Sequence, residues 1–164
     1  MVLRSSIDCH VGNVDGTGWH QLTLPVDGTL PNRYISSFDV DPANSSHLVV
    51  AINGFSRHWT EGQGAGIGHV FESRDAGAHW TDISANVPDA PADSIKYVTG
   101  GGLVLGTDQA VFYRSSGART WQRLGHGIPT NTTLELRTDP TGRYLYAATH
   151  GRGIWSFDLR QLHR

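Results

Sequence analysis

The sequence predicts an all-β fold built from small, similar antiparallel sheets that pack side by side. Helical periodicity is nearly absent, and short β-rich runs are bounded by Gly, Pro, Asn and Asp. The segment from Val70 to Trp80 is echoed 41 residues later by the segment from Val111 to Trp121. A period of about 40 residues indicates a repeated array rather than one unique core.

Each repeat reads as a meander of short strands. The Asp41-Pro42 turn separates the first two strands of one unit, and Asp139-Pro140 stands at the same place in the last unit. The predicted strands are 35–40, 47–52, 68–73 and 80–84 in the first full unit, 94–98, 103–106, 110–114 and 120–124 in the second, and 133–137, 144–149 and 153–159 in the last.

A four-stranded meander with this period fits a β-propeller blade. We therefore expect one partial propeller domain over residues 1–164, with about three antiparallel blades and thirteen strands. Its parts are a half blade of about two strands, two four-stranded blades and a three-stranded terminal blade, at 1–24, 34–84, 94–125 and 133–159. A β-sandwich is the main rival, but it gives no reason for the repeat.

The composition narrows the function classes. A net charge of −2 without a basic run argues against nucleic-acid binding. No apolar stretch approaches the roughly 20 residues that a spanning helix needs, so no membrane partner is expected. Cys9 is the single cysteine, which we interpret as an inert packed thiol, and Val2-Leu3 is too short for the apolar region of a secretory signal.

The pattern Ser73-x-Asp75-x-Gly77-x-x-Trp80 has a local explanation. Asp75 can accept backbone N–H bonds across a turn, Gly77 can take a positive φ, and Trp80 can fill the space between sheets. Trp121 keeps that aromatic in the second copy, where the turn residues differ. We therefore interpret this pattern as a folding device and not as a catalytic site.

This pattern resembles the Asp-box, or BNR repeat, of sialidases, sortilin-type receptors and xyloglucanase-type glycoside hydrolases. The resemblance spans residues 34–158, and the segment from Thr149 to Trp155 is similar to the last blade of such proteins. It implies a secreted or periplasmic location. It also implies that binding or catalysis lies on the face opposite the Asp-box turns, where strand two connects to strand three and each blade to the next.

The candidate ligand-binding residues lie on those connections. The longest one, 54–67, carries Arg57, His58, Trp59 and Glu61 among glycines, so that Trp59 could stack on a sugar or merely pack on its own blade. The remaining candidates are Arg33, Tyr34, His150 and Arg152. For Arg152, a brace between blades is the favoured alternative to ligand contact.

Catalytic residues cannot be assigned from the spacing. A glycosidase needs two carboxyl groups about 5–10 Å apart, and the weak candidates on this face are Glu61 and Asp108, among the carboxylates Asp27, Glu61, Asp89, Asp93 and Asp108. The nine histidines show no paired ligand spacing, so no metal and no cofactor are expected.

Three functions stay open. The first is a binding or scaffold module for carbohydrate or protein, the second a fragment of a secreted glycoside hydrolase, and the third an assembly or sorting factor that recognises proteins. Propellers usually have four to eight blades, so we expect either missing N-terminal blades or self-association into a ring.

Overall fold

The computed structural model describes residues 2–4, 9–11, 18, 20–22, 30, 31, 33–56, 68–125 and 127–163. These residues form four separate antiparallel sheets, each with its strands in sequence order. The predicted site residues Arg57, His58, Trp59 and Glu61 lie outside the described residues. No helix in the described ranges is long and apolar enough to cross a bilayer.

The strands have the following bounds. The first sheet contains β1 (Val2–Arg4), β2 (Cys9–Val11) and β3 (His20–Leu22). The second contains β4 (Ile35–Asp41), β5 (Asn44–Ile52), β6 (Val70–Ser73) and β7 (Thr81–Asp82). The third contains β8 (Ala92–Val98), β9 (Gly102–Thr107), β10 (Val111–Arg114) and β11 (Gln122–Arg123). The fourth contains β12 (Thr133–Thr138), β13 (Tyr144–Thr149) and β14 (Gly153–Asp158), followed by a 3-10 helix, Leu159–His163.

The sequence prediction was wrong about several strands. The described part of segment 1–24 contains three strands rather than about two, because β2 pairs with both β1 and β3. Strand β5 begins at Asn44, which pairs with Asp41, so the turn between β4 and β5 has only two residues. The last strand ends at Asp158, because the chain turns into the 3-10 helix at Leu159.

The first strands of three sheets lie side by side: β4 is beside β8, and β8 is beside β12. The sheets behind these strands pack face to face through apolar clusters. One cluster joins the second sheet to the third through Val49, Val70, Leu105 and Trp121. Another joins the third sheet to the fourth through buried residues from both, which are Val98, Val104, Val111, Leu124, Leu136, Leu145, Ala147 and Leu159.

Trp80 and Trp121 have equivalent surroundings. Trp80 shares a cluster with Val50 and Phe71, which are cross-strand partners in the second sheet. Trp121 shares a cluster with Leu105, whose cross-strand partner Phe112 packs against it. Both indoles are buried, so each closes the apolar space at the same position of its sheet.

Trp121 is also held by hydrogen bonds to the preceding sheet. Its indole N–H donates to the Ile83 carbonyl over 2.8 Å. The Asn86 side chain accepts from the Trp121 N–H at 2.8 Å and donates to the Trp121 carbonyl at 2.9 Å. The third sheet is therefore tied to the second at its outer strand as well as through the apolar cluster.

Serine side chains make a second link, between the first strands of neighbouring sheets. The Ser37 hydroxyl accepts from the Ile95 N–H at 3.2 Å, and the Ser94 hydroxyl accepts from the Leu136 N–H at 3.0 Å. The two serines hold equivalent positions in β4 and β8. Their contacts fix the stagger of one sheet against the next.

We expect Ser94→Ala to lower the free energy of unfolding by about 1–3 kcal/mol, because it leaves the buried Leu136 N–H without an acceptor. Ser45→Ala is the matched control: Ser45 is exposed on β5, and its replacement should change stability by less than about 0.5 kcal/mol. Urea unfolding followed by tryptophan fluorescence measures both. Equal stability of the two variants would show that the serine contact does not link the sheets.

Candidate functional site

The connecting segments of the second, third and fourth sheets lie together at one end of the strands. In each sheet, the residue after the second strand donates its N–H to the carbonyl just before the first strand. The three bonds are Asn53 to Tyr34 at 2.8 Å, Asp108 to Pro91 at 3.0 Å and His150 to Thr132 at 3.0 Å. We call this end of the strands the link edge. The opposite end, which carries the turn from Arg74 to His79, is the turn edge.

A β-bulge occurs at the same place in each first strand, next to the link edge. The extra residues are Ser36, Asp93 and Leu134. A bulge leaves its extra residue outside the ladder and re-aims the side chain. All three residues line one concave cavity of about 640 Å³ that runs along β4, β8 and β12, with Lys96 and Arg137 further along it.

Asp93 meets a second carboxyl group at this cavity. The Asn53 side chain donates to Asp93 Oδ1 over 2.7 Å, and among the described residues Asp93 Oδ2 is buried without a hydrogen-bond partner. Burial, followed by the negative charge of Asp108, raises the pKa of Asp93 from 3.8 to about 7. Asp93 therefore keeps its proton up to about neutral pH and presents a donor as well as an acceptor.

Arg33, a predicted ligand-binding residue, binds main-chain carbonyls. Its guanidinium donates to the Phe55 carbonyl at 2.6 Å, to the Gly54 carbonyl at 3.2 Å and to the Gly68 carbonyl. These carbonyls flank the segment 57–67 on both sides. Arg33 thus acts as a clamp that holds the two ends of this segment together.

Asp89 makes a second clamp at the same place. It accepts from the N–H and the hydroxyl of Ser56, each at 2.6 Å, and contacts His69 Nε2 at 3.1 Å. Burial and the charge of Arg33 lower the pKa of His69, so this ring is neutral at pH 7. Among the described residues, the Ser56 hydroxyl donates to the Asp89 carboxylate and not to His69, so it lacks the histidine base of a typical serine nucleophile.

The other predicted residues of the link edge are exposed. Tyr34 is 51% exposed. His150 and Arg152 lie in the short connection between β13 and β14, with both side chains in solvent. The Arg152 carbonyl accepts the Trp155 indole N–H at 3.0 Å. Among the predicted site residues that the structure describes, Asp108 lies beside an ionisable group that lines the cavity, Asp93.

The turn edge shows the local bonding expected for Ser73, Asp75 and Gly77. Asp75 accepts from the His79 N–H and the Ser73 hydroxyl, each at 2.9 Å, and the Ser73 hydroxyl accepts from the Gly77 N–H at 2.8 Å. Gly77 has a φ of 93°. The bonds from His79 lower the pKa of Asp75 to about 2. The carboxylate is therefore engaged in holding the turn.

The sequence indicated Asp93 only as one of five candidate carboxylates, yet in the structure it lines the cavity and has a raised pKa. The sequence signal that finds it is positional: Asp93 lies one residue after the start of β8, where Ser36 and Leu134 stand in the equivalent strands. In the ranges that the structure covers, no group of three or more His, Cys, Asp or Glu side chains is arranged to hold a metal ion.

Solved structures share this arrangement of sheets. A GH74 enzyme from Niastella koreensis is similar over 94% of this chain and 25% of its own, at 15% identity and a TM-score of 0.64. A GH74 xyloglucanase from Xanthomonas campestris is similar over 94% of this chain and 25% of its own, at 13% identity and a TM-score of 0.63. A gluconolactonase from the same organism is similar over 92% of this chain and 44% of its own, at 20% identity and a TM-score of 0.61.

These similarities show the fold. The chain is a partial β-propeller, as the sequence predicted, and its sheets are blades. It spans between a quarter and less than half of the length of these three proteins. No protein-family profile and no curated protein sequence matches it.

The raised pKa of Asp93 predicts a pH dependence of stability. The group has a pKa near 3.8 when unfolded and about 7 when folded. Between these values the folded state holds more protons, so the free energy of unfolding falls as pH rises from about 4 to 7 and then levels off. Asp93→Asn should remove this slope in urea unfolding measured across the range.

The partner residue provides the control. Asp108→Asn removes the neighbouring negative charge, so the Asp93 midpoint should fall but stay above its ordinary value because burial remains. Carboxyl ¹³C chemical shifts follow this titration directly. A wild-type Asp93 that titrates near pH 4 would contradict the proposed carboxyl pair.

Proposed function

We propose that this propeller segment is a binding module for carbohydrate, with the ligand held at the link edge. The observation that carries the proposal is Asp93, which lines the cavity and has Asn53 and Asp108 beside it. An amide beside a protonated carboxyl group offers donors and acceptors together. Sugar hydroxyls require both kinds of partner, whereas a bare carboxylate offers acceptors alone.

The cavity also offers an apolar contact. Leu134 is 54% exposed and lines the same cavity as Asp93, one blade further along. A sugar ring presents apolar C–H faces as well as hydroxyls. Polar anchors with a nearby apolar surface are the usual composition of a small-molecule site.

The surroundings of the described carboxyl groups favour binding over hydrolysis. Retaining glycosidases hold their two carboxyl groups about 5 Å apart, and inverting enzymes hold them further apart. A hydrolase needs one of the two as a nucleophile or a base, whereas Asp93 keeps its proton up to about neutral pH and is bound by Asn53. The other described carboxylate nearby, Asp89, is held by Ser56 and His69.

A glycoside hydrolase fragment is the second candidate. A carboxyl with a pKa of about 7 is suited to act as a general acid, and Asp93 has such a value. Two similar structures are GH74 enzymes. In this case the second carboxylate comes from another part of a longer protein.

We also assign the Ser73–Trp80 turn to the Asp-box type, as a folding element rather than a site. Its support is the set of bonds that Ser73 and Asp75 make across the turn. A secreted or periplasmic location belongs to the same proposal. Secretion of the natural full-length protein by its source cell tests the location, and a strictly cytoplasmic protein would contradict it.

A further part of the proposal concerns partners. Tyr146 and Ile154 are exposed in the fourth blade, while their strand neighbours Leu145 and Trp155 pack toward the third. An exposed apolar sheet face favours association, so we propose that further blades cover it. Light scattering tests this. A chain that stays monomeric at high concentration, with no gain in solubility from Ile154→Ser, would contradict the proposal.

Calorimetric titration with xyloglucan oligosaccharides tests the binding function. We expect binding without hydrolysis, and we expect Asp108→Asn to weaken it about tenfold because one charge-assisted hydrogen bond is lost. Asp82→Asn is the matched control, since Asp82 is exposed on the outer strand β7.

A reducing-sugar assay on the same samples separates the two candidates. Hydrolysis by the chain at ordinary enzyme rates would overturn the binding-module proposal. No heat with xyloglucan oligosaccharides or with unbranched neutral glucans would exclude carbohydrate binding at this edge.

A further inference from the structure

A groove at the turn edge runs between the second and third blades, away from the link edge. It consists of two adjoining cavities of about 170 and 350 Å³. Both are lined by Glu72, Arg74 and Arg114. The smaller cavity is also lined by Asp41 and Tyr97. A water molecule takes up about 30 Å³ in the liquid, so even the smaller cavity is the size of a small organic molecule.

The floor of the groove contains a polar group without a partner. Tyr97 is only 7% exposed, and among the described residues its hydroxyl has no hydrogen-bond partner. The Arg114 Nε is also buried without a partner there. Buried polar groups in folded proteins are nearly always hydrogen-bonded, so two such groups in one cavity point to an occupant that supplies oxygen atoms.

The charges of the groove restrict that occupant. Arg74 Nε pairs with Glu72 at 3.2 Å, and Asp41 lies 3.4 Å from His47 Nδ1. Burial and the negative charges of Glu72 and Asp41 raise the pKa of Tyr97. The hydroxyl thus lies in a negative potential that disfavours an anion, while the guanidinium groups of Arg74 and Arg114 disfavour a cation.

A neutral hydroxyl fits where charged groups do not. It accepts a hydrogen bond from Arg114 or Tyr97 and donates one to Glu72 or Asp41. We propose that this groove is a second binding site, which takes a neutral polyol of monosaccharide size with one hydroxyl on Tyr97. It shares no residue with the Asn53, Asp93 and Asp108 group, so it stands or fails independently of the link edge.

The test is a titration of the full chain with D-xylose, D-glucose and glycerol, followed by amide chemical shifts in NMR spectra. We expect shifts confined to residues around Tyr97 and the turn from Ser115 to Gly117. Tyr97→Phe removes only the hydroxyl and keeps the ring in the apolar cluster, so it should fold normally and bind about tenfold more weakly.

Tyr113→Phe is the matched control, because Tyr113 lies in the same blade and packs toward the fourth blade, outside the groove. It should bind the sugars like the wild type. Arg114→Gln tests the second unpartnered group and should also weaken binding. Inorganic phosphate serves as the anionic probe and should cause no shifts in the groove.

Three results would overturn the proposal. The first is no shift in the groove with any polyol, which would leave ordered water as the occupant. The second is equal affinity of Tyr97→Phe and wild type. The third is binding of phosphate in place of the sugars, which would show that the site selects anions.

Discussion

The face-to-face packing of narrow blades is the constraint on which the rest of the molecule depends. A sheet of three or four short strands cannot bury both faces alone, so each blade needs its neighbours. Trp80 and Trp121 close equivalent spaces at the ends of their blades. Burial of side chains of this size is the largest contribution that a single residue makes to such an interface.

This packing decides where chemistry can occur. The facing surfaces of the second, third and fourth blades are buried at the blade interfaces, so the polar groups described above lie at the two edges and along the first strands. The repeated bulge at Ser36, Asp93 and Leu134 shows how sequence variation enters without disturbing the array: the backbone irregularity is the same in three blades, while the side chain changes from hydroxyl to carboxyl to apolar. The geometry is common to the blades and the chemistry is local.

The sequence predicted the fold because its signals are local and repeated. The spacing of Trp80 and Trp121 and the turn chemistry of Asp75 are visible along the chain. Prediction from the sequence failed where the structure depends on residues that are far apart along the chain. Strand β2 is three residues long and is defined by its pairing. Burial and the charge of Asp108, which belongs to another segment, raise the pKa of Asp93, and Arg33 reads as a ligand residue until its carbonyl partners are known.

The central claim is that neighbouring blades form one cooperative unit through their interfaces. Native-state hydrogen exchange of the backbone amides tests it most directly. The account predicts that amides of β8 and β12, including those of Ile95 and Leu136, exchange only through global unfolding, with the same free energy as the buried strand β9. Exchange of β12–β14 through a separate opening of much lower free energy would contradict it.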